Sequence, residues 1–472
     1  MKAFLIGLPI VLSIFFGIYY IANLDDGILF CLISSLSLTA LIPAILRQRK
    51  IDIFEPIILV YSAVAIGCPA RAILVVFFGS EKFDYLTYGY TFDELNGPAS
   101  LMILGLFSFA MAYAIVLNKR KPFYDSNFFN RKLCTRKVRA VCLLFLLVSL
   151  TGSLMFMSNT GVDFSNAETI SNKRAVLIEE AAAENVYSSF SHLKFLASFA
   201  DMGFLLFLTT ILFNKKKAKL VDKVLLVILF LAACVTPFVS SSRMDIMLLM
   251  INASIIFYYF NQKKIPIKIT IFSLIFVVFM AAFMGYLRAN AQGNESDSYF
   301  NPIEATVGSG NFVDLARTGI IIDSMPRKLD YLYGESLVTF LIFPIPRVIW
   351  PEKPNVSLGP LVRSEIYNLP TKNNGFPPGL VAEGYMNFGL IGILLVPALY
   401  GIVLALFYSV FSSYLHTQIG LILYGAVIWR FAFVGAGLNF SQTIAQIVPD
   451  FIILTLICFV TSKRNFNESK YS

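Results

Sequence analysis

Apolar runs of about 17 to 25 residues recur along this chain, each long enough to cross roughly 30 Å of hydrocarbon as a helix. Twelve are readable: Ala3–Ala22, Ile28–Leu46, Ile53–Phe78, Pro98–Leu117, Ala140–Met157, Leu193–Phe213, Leu220–Phe238, Met244–Phe260, Ile267–Leu287, Phe388–Phe411, Ile419–Gly437 and Ile444–Val460. Lipid offers the backbone no hydrogen-bond partners, so runs of this length fold as helices that satisfy their own N–H and C=O groups. Composition agrees, with 57% hydrophobic residues and 14% charged, against about 25% charged in an ordinary soluble domain. Mean hydropathy is +0.72. The expected fold is an all-α integral membrane protein of about twelve spans. Its first run follows a lone Lys2 and lacks a small-residue cleavage site, which predicts a retained helix rather than a signal peptide.

The net charge of +9 resolves into topology once it is sorted by loop. Arg47, Arg49 and Lys50, the run from Lys119 to Arg139, Lys215 to Lys223, Lys263 to Lys268, and Lys463, Arg464 and Lys470 fall on alternate loops. They mark the cytoplasmic side by the positive-inside rule. The other loops carry Asp25 and Asp26, Glu81 to Glu94, and Glu179 to Glu184. Both termini are therefore expected in the cytoplasm. Residues 1–287 would carry nine spans, 288–387 one large extracytoplasmic loop, 388–462 three more spans, and 463–472 a cytoplasmic tail.

Several function classes fall away. The basic runs are topology signals at lipid headgroups, so no nucleic-acid partner is expected. The chain has no Walker A sequence, and no cytoplasmic loop holds an Asp-x-Asp pair for a metal-bound sugar nucleotide. His192 and His416 belong to opposite faces, and Cys31, Cys68, Cys142, Cys234 and Cys458 lie within spans. No metal site, outer disulfide or cofactor is expected. The two halves differ in loop pattern, unlike the inverted repeats of many transporters.

Intramembrane charges are the positive clue, because each costs about 2.5 to 3.5 kcal/mol at mid-bilayer on insertion scales. Arg71, Asp201, Arg243, Asp245, Arg288, Arg430 and Asp450 all fall in the outer half of their spans by this topology. Taken singly, a pair such as Arg430 and Asp450 could simply glue helices. As a set they suggest the floor of an outward-facing cavity, with Gln442, Gln446 and Asp450 sharing one helix face at i, i+4 spacing. Above it, Gly334–Trp350 (GESLVTFLIFPIPRVIW) is too short to span and is interrupted by Pro344 and Pro346, so it is expected to be re-entrant or interfacial. Phe312–Met325 is expected as an amphipathic surface helix that holds Arg317 near the membrane.

The stretches SSSRMDIML at Ser240–Leu248, FPIPRVIWPEKPN at Phe343–Asn355, the LGPL that follows, and PPGLVAEGYMNFGLIG at Pro377–Gly392 resemble the bacterial oligosaccharide repeat-unit polymerases, the Wzy-type O-antigen and capsule polymerases. The resemblance implies the GT-C-like architecture shared by polymerases and ligases. It also implies a polyprenyl-diphosphate-dependent glycosyltransferase at the outer face of the inner membrane, with undecaprenyl-diphosphate-linked oligosaccharide as substrate. A chain-length regulator and a flippase are the further partners it implies. A departing diphosphate needs fixed cations, and guanidinium groups match phosphate oxygens bidentately. The expected cations are Arg243, Arg288, Arg347 and Arg430, then Arg71 and Arg363. An attacking sugar hydroxyl needs a carboxylate within reach, first Glu383, then Asp245; Glu383 could equally be a helix cap or tether. The alternatives are an O-antigen ligase-like enzyme, whose functional outer-loop histidine has no counterpart here, and a lipid-linked oligosaccharide flippase or other transporter. A non-catalytic assembly partner would not need intramembrane arginines.

Overall fold

In the computed structural model, residues 52–68, 94–119, 127–160, 191–214, 218–239, 243–264, 314–345, 349–350, 352–369 and 375–463 are described. The expected first, second and ninth spans lie outside these residues, as does the end of the third. Among the described residues the chain is helical, and a single bridge, Leu133 to Ser462, stands in place of any strand. The helices are α1 (Pro56–Gly67), α2 (Asn96–Lys119), α3 (Thr135–Thr160), α4 (Ser191–Ala197), α5 (Phe199–Phe213), α6 (Leu220–Val239), α7 (Arg243–Phe260), α8 (Leu315–Ser324), α9 (Glu335–Val338), α10 (Leu380–Phe411), α11 (Gln418–Ile428) and α12 (Phe440–Thr461). A π-helical turn, Trp429–Val434, and a short helix, Gly435–Gly437, continue α11. Among the described residues, six helical stretches are long and apolar enough to cross a membrane: 97–118, 135–158, 195–213, 380–411, 418–437 and 440–461. This is a multi-pass membrane protein.

The chain divides into two compact units. The first comprises Met1–Lys121, Ile303–Ser409 and Arg430–Ile447, the second Pro122–Pro302, Val410–Trp429 and Val448–Ser472. In the second unit, α3 turns Leu143, Leu147, Leu150 and Leu154 outward along one stripe, each at least 42% exposed. Its buried face mixes Val138, Phe145 and Phe156 with the small and polar Cys142, Ser149 and Ser153. The Ser149 hydroxyl donates to the Ala197 carbonyl at 2.6 Å, and a Cβ on Gly152 would stand 2.9 Å from that of Leu196. Such a pattern suits lipid, which is as apolar as leucine and leaves close backbone approach to hold helices together. At the expected cytoplasmic end, the half-buried Arg139 grips Asp222 at 2.6 Å.

In the first unit, segments 314–345 and 352–369 contribute to a packed core rather than running as open loop. Ile321, Met325, Leu358, Val362 and Ile366 make one core with Ala382 and Met386. Helix α8 occurs where an amphipathic helix was expected, started by Asp314, whose carboxylate accepts the Arg317 N–H at 3.2 Å. It does not lie on a surface, because Arg317 is 1% exposed. Two nitrogens of that guanidinium are engaged internally: Nη1 donates to the Pro377 carbonyl at 3.0 Å and Nη2 lies 3.7 Å from Asp314 Oδ2, and the group sits over the Phe376 ring. With its one cation neutralised, the helix can bury the face that would otherwise have stayed near the headgroups.

Candidate functional site

The backbone of α10 breaks near its start. Phe388 and Gly389 leave helical geometry, Gly389 at φ +60°, a left-handed value that glycine adopts without a Cβ clash. The eight residues before the break, Leu380–Asn387, fold back so far that a Cβ on Gly392 would lie 1.8 Å from the Gly384 carbonyl oxygen. The GYMNFGLIG sequence thus makes a short buried half-helix followed by a long apolar one. The break falls at the residue where the span was expected to start.

This half-helix carries Glu383 and Asn387, one turn apart and both 0% exposed. Glu383 Oε1 accepts the Ser336 hydroxyl at 2.8 Å. Its Oε2 accepts the Phe440 backbone N–H at 2.7 Å, placing a carboxylate on the N-terminus of α12, where unsatisfied amides favour negative charge. Asn387 Nδ2 donates to Ser336 Oγ and to the Glu383 carbonyl, both at 2.8 Å, and its Oδ1 accepts the Gly334 N–H at 2.9 Å. Ser441 Oγ donates to the Ser336 carbonyl. Three elements, α9, the half-helix and the head of α12, therefore meet at one polar centre. Breaking it would leave buried donors unmet at about 1–3 kcal/mol each.

A second tier joins the loop to the same helix head. The side chain of Asn439 donates to the Val356 carbonyl at 2.9 Å and accepts the Leu358 N–H at 3.2 Å, while Ser357 Oγ donates to Gln442 Oε1 at 3.0 Å. Gln442 is half-buried and Gln446 exposed. Beyond it, Gly359 and Gly375 cross in backbone contact, where a Cβ on Gly375 would stand 2.4 Å from the Gly359 carbonyl carbon. That crossing presents Phe376, over whose ring lie both Arg363, at 5.2 Å, and Arg317, at 5.5 Å.

Of the expected site residues, Glu383 stands at the polar centre, fully buried and engaged as a tether. Arg363 is half-buried in the π-helical turn Val362–Ile366. Arg430 is half-buried within the first unit, and Asp245 is half-buried in the first turn of α7, in the second. Arg243 opens α7, and its side chain lies outside the described residues, as do Arg71, Arg288 and Arg347. Sequence reasoning missed Ser336, Asn387, Asn439 and Ser441. The available signals were Asn387 four residues after Glu383 on an apolar helix, and the polar run Asn439 to Thr443 heading the last span. Among the described residues no group of three or more His, Cys, Asp or Glu could hold a metal.

A multi-pass helical membrane protein with a folded loop body docked onto a buried carboxylate at a broken helix is the class these features define. The sequence model of the O-antigen polysaccharide polymerase Wzy family matches residues 5–468, and the chain belongs to that family. Over 182 residues it is 27% identical to the O-antigen polymerase of Salmonella typhimurium, and equally to that of Salmonella typhi. These matches cover 38% of this chain and 40% of the length of each relative. No solved structure matches.

Proposed function

We propose that this protein is an O-antigen or capsule polymerase working at the outer face of the inner membrane, with both termini in the cytoplasm. It transfers the growing glycan from undecaprenyl diphosphate to a hydroxyl of the next lipid-linked repeat unit. The observation that carries this reading is family membership across residues 5–468, which favours a polymerase over a ligase or a flippase. In the reaction, the acceptor oxygen attacks the anomeric carbon of the donor glycan. The bond from that carbon to the diphosphate oxygen breaks, and the diphosphate leaves with the electron pair. The acceptor proton passes to a carboxylate.

The polar centre supports Glu383 in that last role. Ser336 Oγ, a hydroxyl 2.8 Å from Glu383 Oε1, stands where an acceptor sugar hydroxyl would donate. A four-residue helix, α9, carries it, with Val338 54% exposed. For substrate to replace Ser336, α9 must give up the Ser336 bonds to Glu383, Asn387 and Ser441, and the acceptor hydroxyl must remake the one to Glu383. Phe440 N–H and Asn387 would hold the remaining geometry. The diphosphate is assigned to guanidinium groups, with Arg243, Arg288, Arg347 and Arg430 the first candidates and Arg71 and Arg363 behind them; of these, Arg363 is seated on Phe376. Asp245 is the second carboxylate candidate.

Reconstitution of the purified chain with its lipid-linked repeat unit tests the reading. A ladder of polymer still attached to undecaprenyl diphosphate is expected, and it should persist in EDTA. Absence of polymer from folded protein would overturn the assignment, transfer onto lipid A core would make the protein a ligase, and activity restored only by magnesium would add a metal.

A further inference from the structure

We propose that Tyr331, Tyr333 and Tyr385 form a stacking subsite for a sugar ring of the substrate glycan. The proposal rests on the polymerase reading and assigns the carbohydrate, rather than the diphosphate, a place on the loop body. The Tyr331 ring lies edge-on to both neighbours, 6.4 Å from Tyr333 and 6.0 Å from Tyr385. Tyr331 and Tyr385 are both partly buried against the core that includes Ile321, Met325 and Met386, which holds their rings in place. Tyr331 also seats on the helix break, its hydroxyl 3.4 Å from where a Cβ on Gly389 would be. Asn387 thereby connects the cluster to the polar centre: its carbonyl accepts the Tyr333 N–H at 3.1 Å, and its side chain holds Ser336.

Tyr333 is the member least explained by folding. It is 78% exposed, yet its backbone is held at φ +45°, a left-handed conformation uncommon for a bulky residue and found more often at functional sites. A ring held out of the core at that cost suits a surface that something else covers. The surroundings indicate what. Asp323, Asp330 and Glu335 are exposed beside these rings in sequence, and carboxylates accept hydrogen bonds from sugar hydroxyls but repel a diphosphate. Arg327 and Lys328 also flank the segment, and Lys328 Nζ is turned to the Ile366 carbonyl at 2.9 Å. Aromatic rings at a membrane surface can instead anchor in headgroups. Three neighbouring carboxylates disfavour an anionic lipid surface. A hydroxylated ring with an apolar C–H face satisfies both the tyrosines and the acids.

The test uses full-length protein in nanodiscs with lipid-linked repeat unit as the varied substrate. Tyr333→Ala should raise KM about fivefold to tenfold, the scale of one aromatic contact, with kcat within about twofold and an unchanged melting temperature. Tyr333→Phe, which keeps the ring, should fall between the two. Ile349→Ala, equally exposed at 75% but outside the cluster, should leave KM alone. In parallel, the repeat-unit oligosaccharide released by mild acid from the host's own lipid-linked intermediate should show saturation transfer from wild-type protein and lose it with Tyr333→Ala. An active enzyme whose KM and saturation transfer ignore Tyr333→Ala would overturn the subsite and leave the polymerase reading standing. An equal rise in KM from Ile349→Ala would assign the effect to bilayer seating and also overturn it. If the wild type makes no polymer, the functional reading fails, and saturation transfer still decides whether the tyrosines hold sugar.

Discussion

Helix α3 and the half-helix Leu380–Asn387 are built on opposite principles. Helix α3 exposes Leu147 and Leu154, each more than 60% accessible, and buries Ser149. Within its apolar stretch the Ser149 hydroxyl makes one bond to a neighbouring backbone and Thr151 bonds its own helix, and most of that stretch is hydrocarbon. The half-helix is shorter, yet it buries a carboxylate and a carboxamide completely and routes through them the hydrogen bonds of two other segments. Lipid tolerates many sequences along α3. The polar centre tolerates few, because each member supplies a partner that the others need.

The largest expected effect comes from breaking the second kind of region. Glu383→Ala strands the Ser336 hydroxyl and the Phe440 N–H in a dry site, at about 1–3 kcal/mol each, and should abolish both polymer and a cooperative thermal transition. Glu383→Gln separates the tether from the base. Its carboxamide keeps the shape and one acceptor, so the protein should melt within a few degrees of wild type and retain the lipid diphosphate. Turnover should fall about 10²- to 10⁴-fold, as for loss of a general base. Near wild-type turnover in that variant would make Glu383 a tether alone and move the base to Asp245.

A step smaller is Gly375→Ala. The added methyl would meet the Gly359 carbonyl carbon at 2.4 Å and its Cα at 2.6 Å, and both are backbone atoms that cannot swing aside. Overpacking of this kind costs about 1–3 kcal/mol. Limited proteolysis should open the 352–369 segment, with Arg363 losing its seat on Phe376 and activity dropping in parallel. Resistance equal to wild type would show that the crossing relaxes. Ser149→Ala, in α3, removes only one helix-to-helix bond, worth about 0.6 kcal/mol on average in membranes. A melting shift of no more than a few degrees is expected there, and a collapse of the fold would mean that α3 is less tolerant than its lipid-facing stripe implies.

What could be read in the sequence divides along the same line. The six spans found were legible because a hydrocarbon slab imposes length and apolarity directly, and expected boundaries such as Pro98–Leu117 fall within a residue of the stretch found, Gly97–Asn118. Glu383 was legible as a residue of consequence because the transfer that the resemblance implies needs a carboxylate, and PPGLVAEGYMNFGLIG carries one at the head of a span. Its partners were not. Ser336 reaches it across 47 positions and Phe440 across 57, and no local pattern encodes a bond to a backbone N–H so distant. Helix α8 was found, but its burial was misjudged, since an amphipathic stripe says which face is apolar and not what will cover it. The paired guanidinium groups on Phe376 depend on the glycine crossing, a contact between segments that sequence spacing alone did not weigh.

The smallest expected effect probes the lipid-facing side of the comparison. Leu147→Ala removes a side chain that is 62% exposed. In water such a face would be a liability and its truncation would improve solubility; in a bilayer the lost methylenes are replaced by acyl chains, so stability should change by no more than about 0.5 kcal/mol. Leu147→Asp at the same position supplies the contrast, because an aspartate at mid-helix costs about 2.5–3.5 kcal/mol on the insertion scale, where leucine gains a few tenths. Expression of the aspartate variant in membranes should therefore fall sharply, while the alanine variant matches wild type. Equal yields and equal melting temperatures for both would mean that the stripe does not face hydrocarbon, and would break the membrane reading of α3 on which its contrast with the half-helix depends.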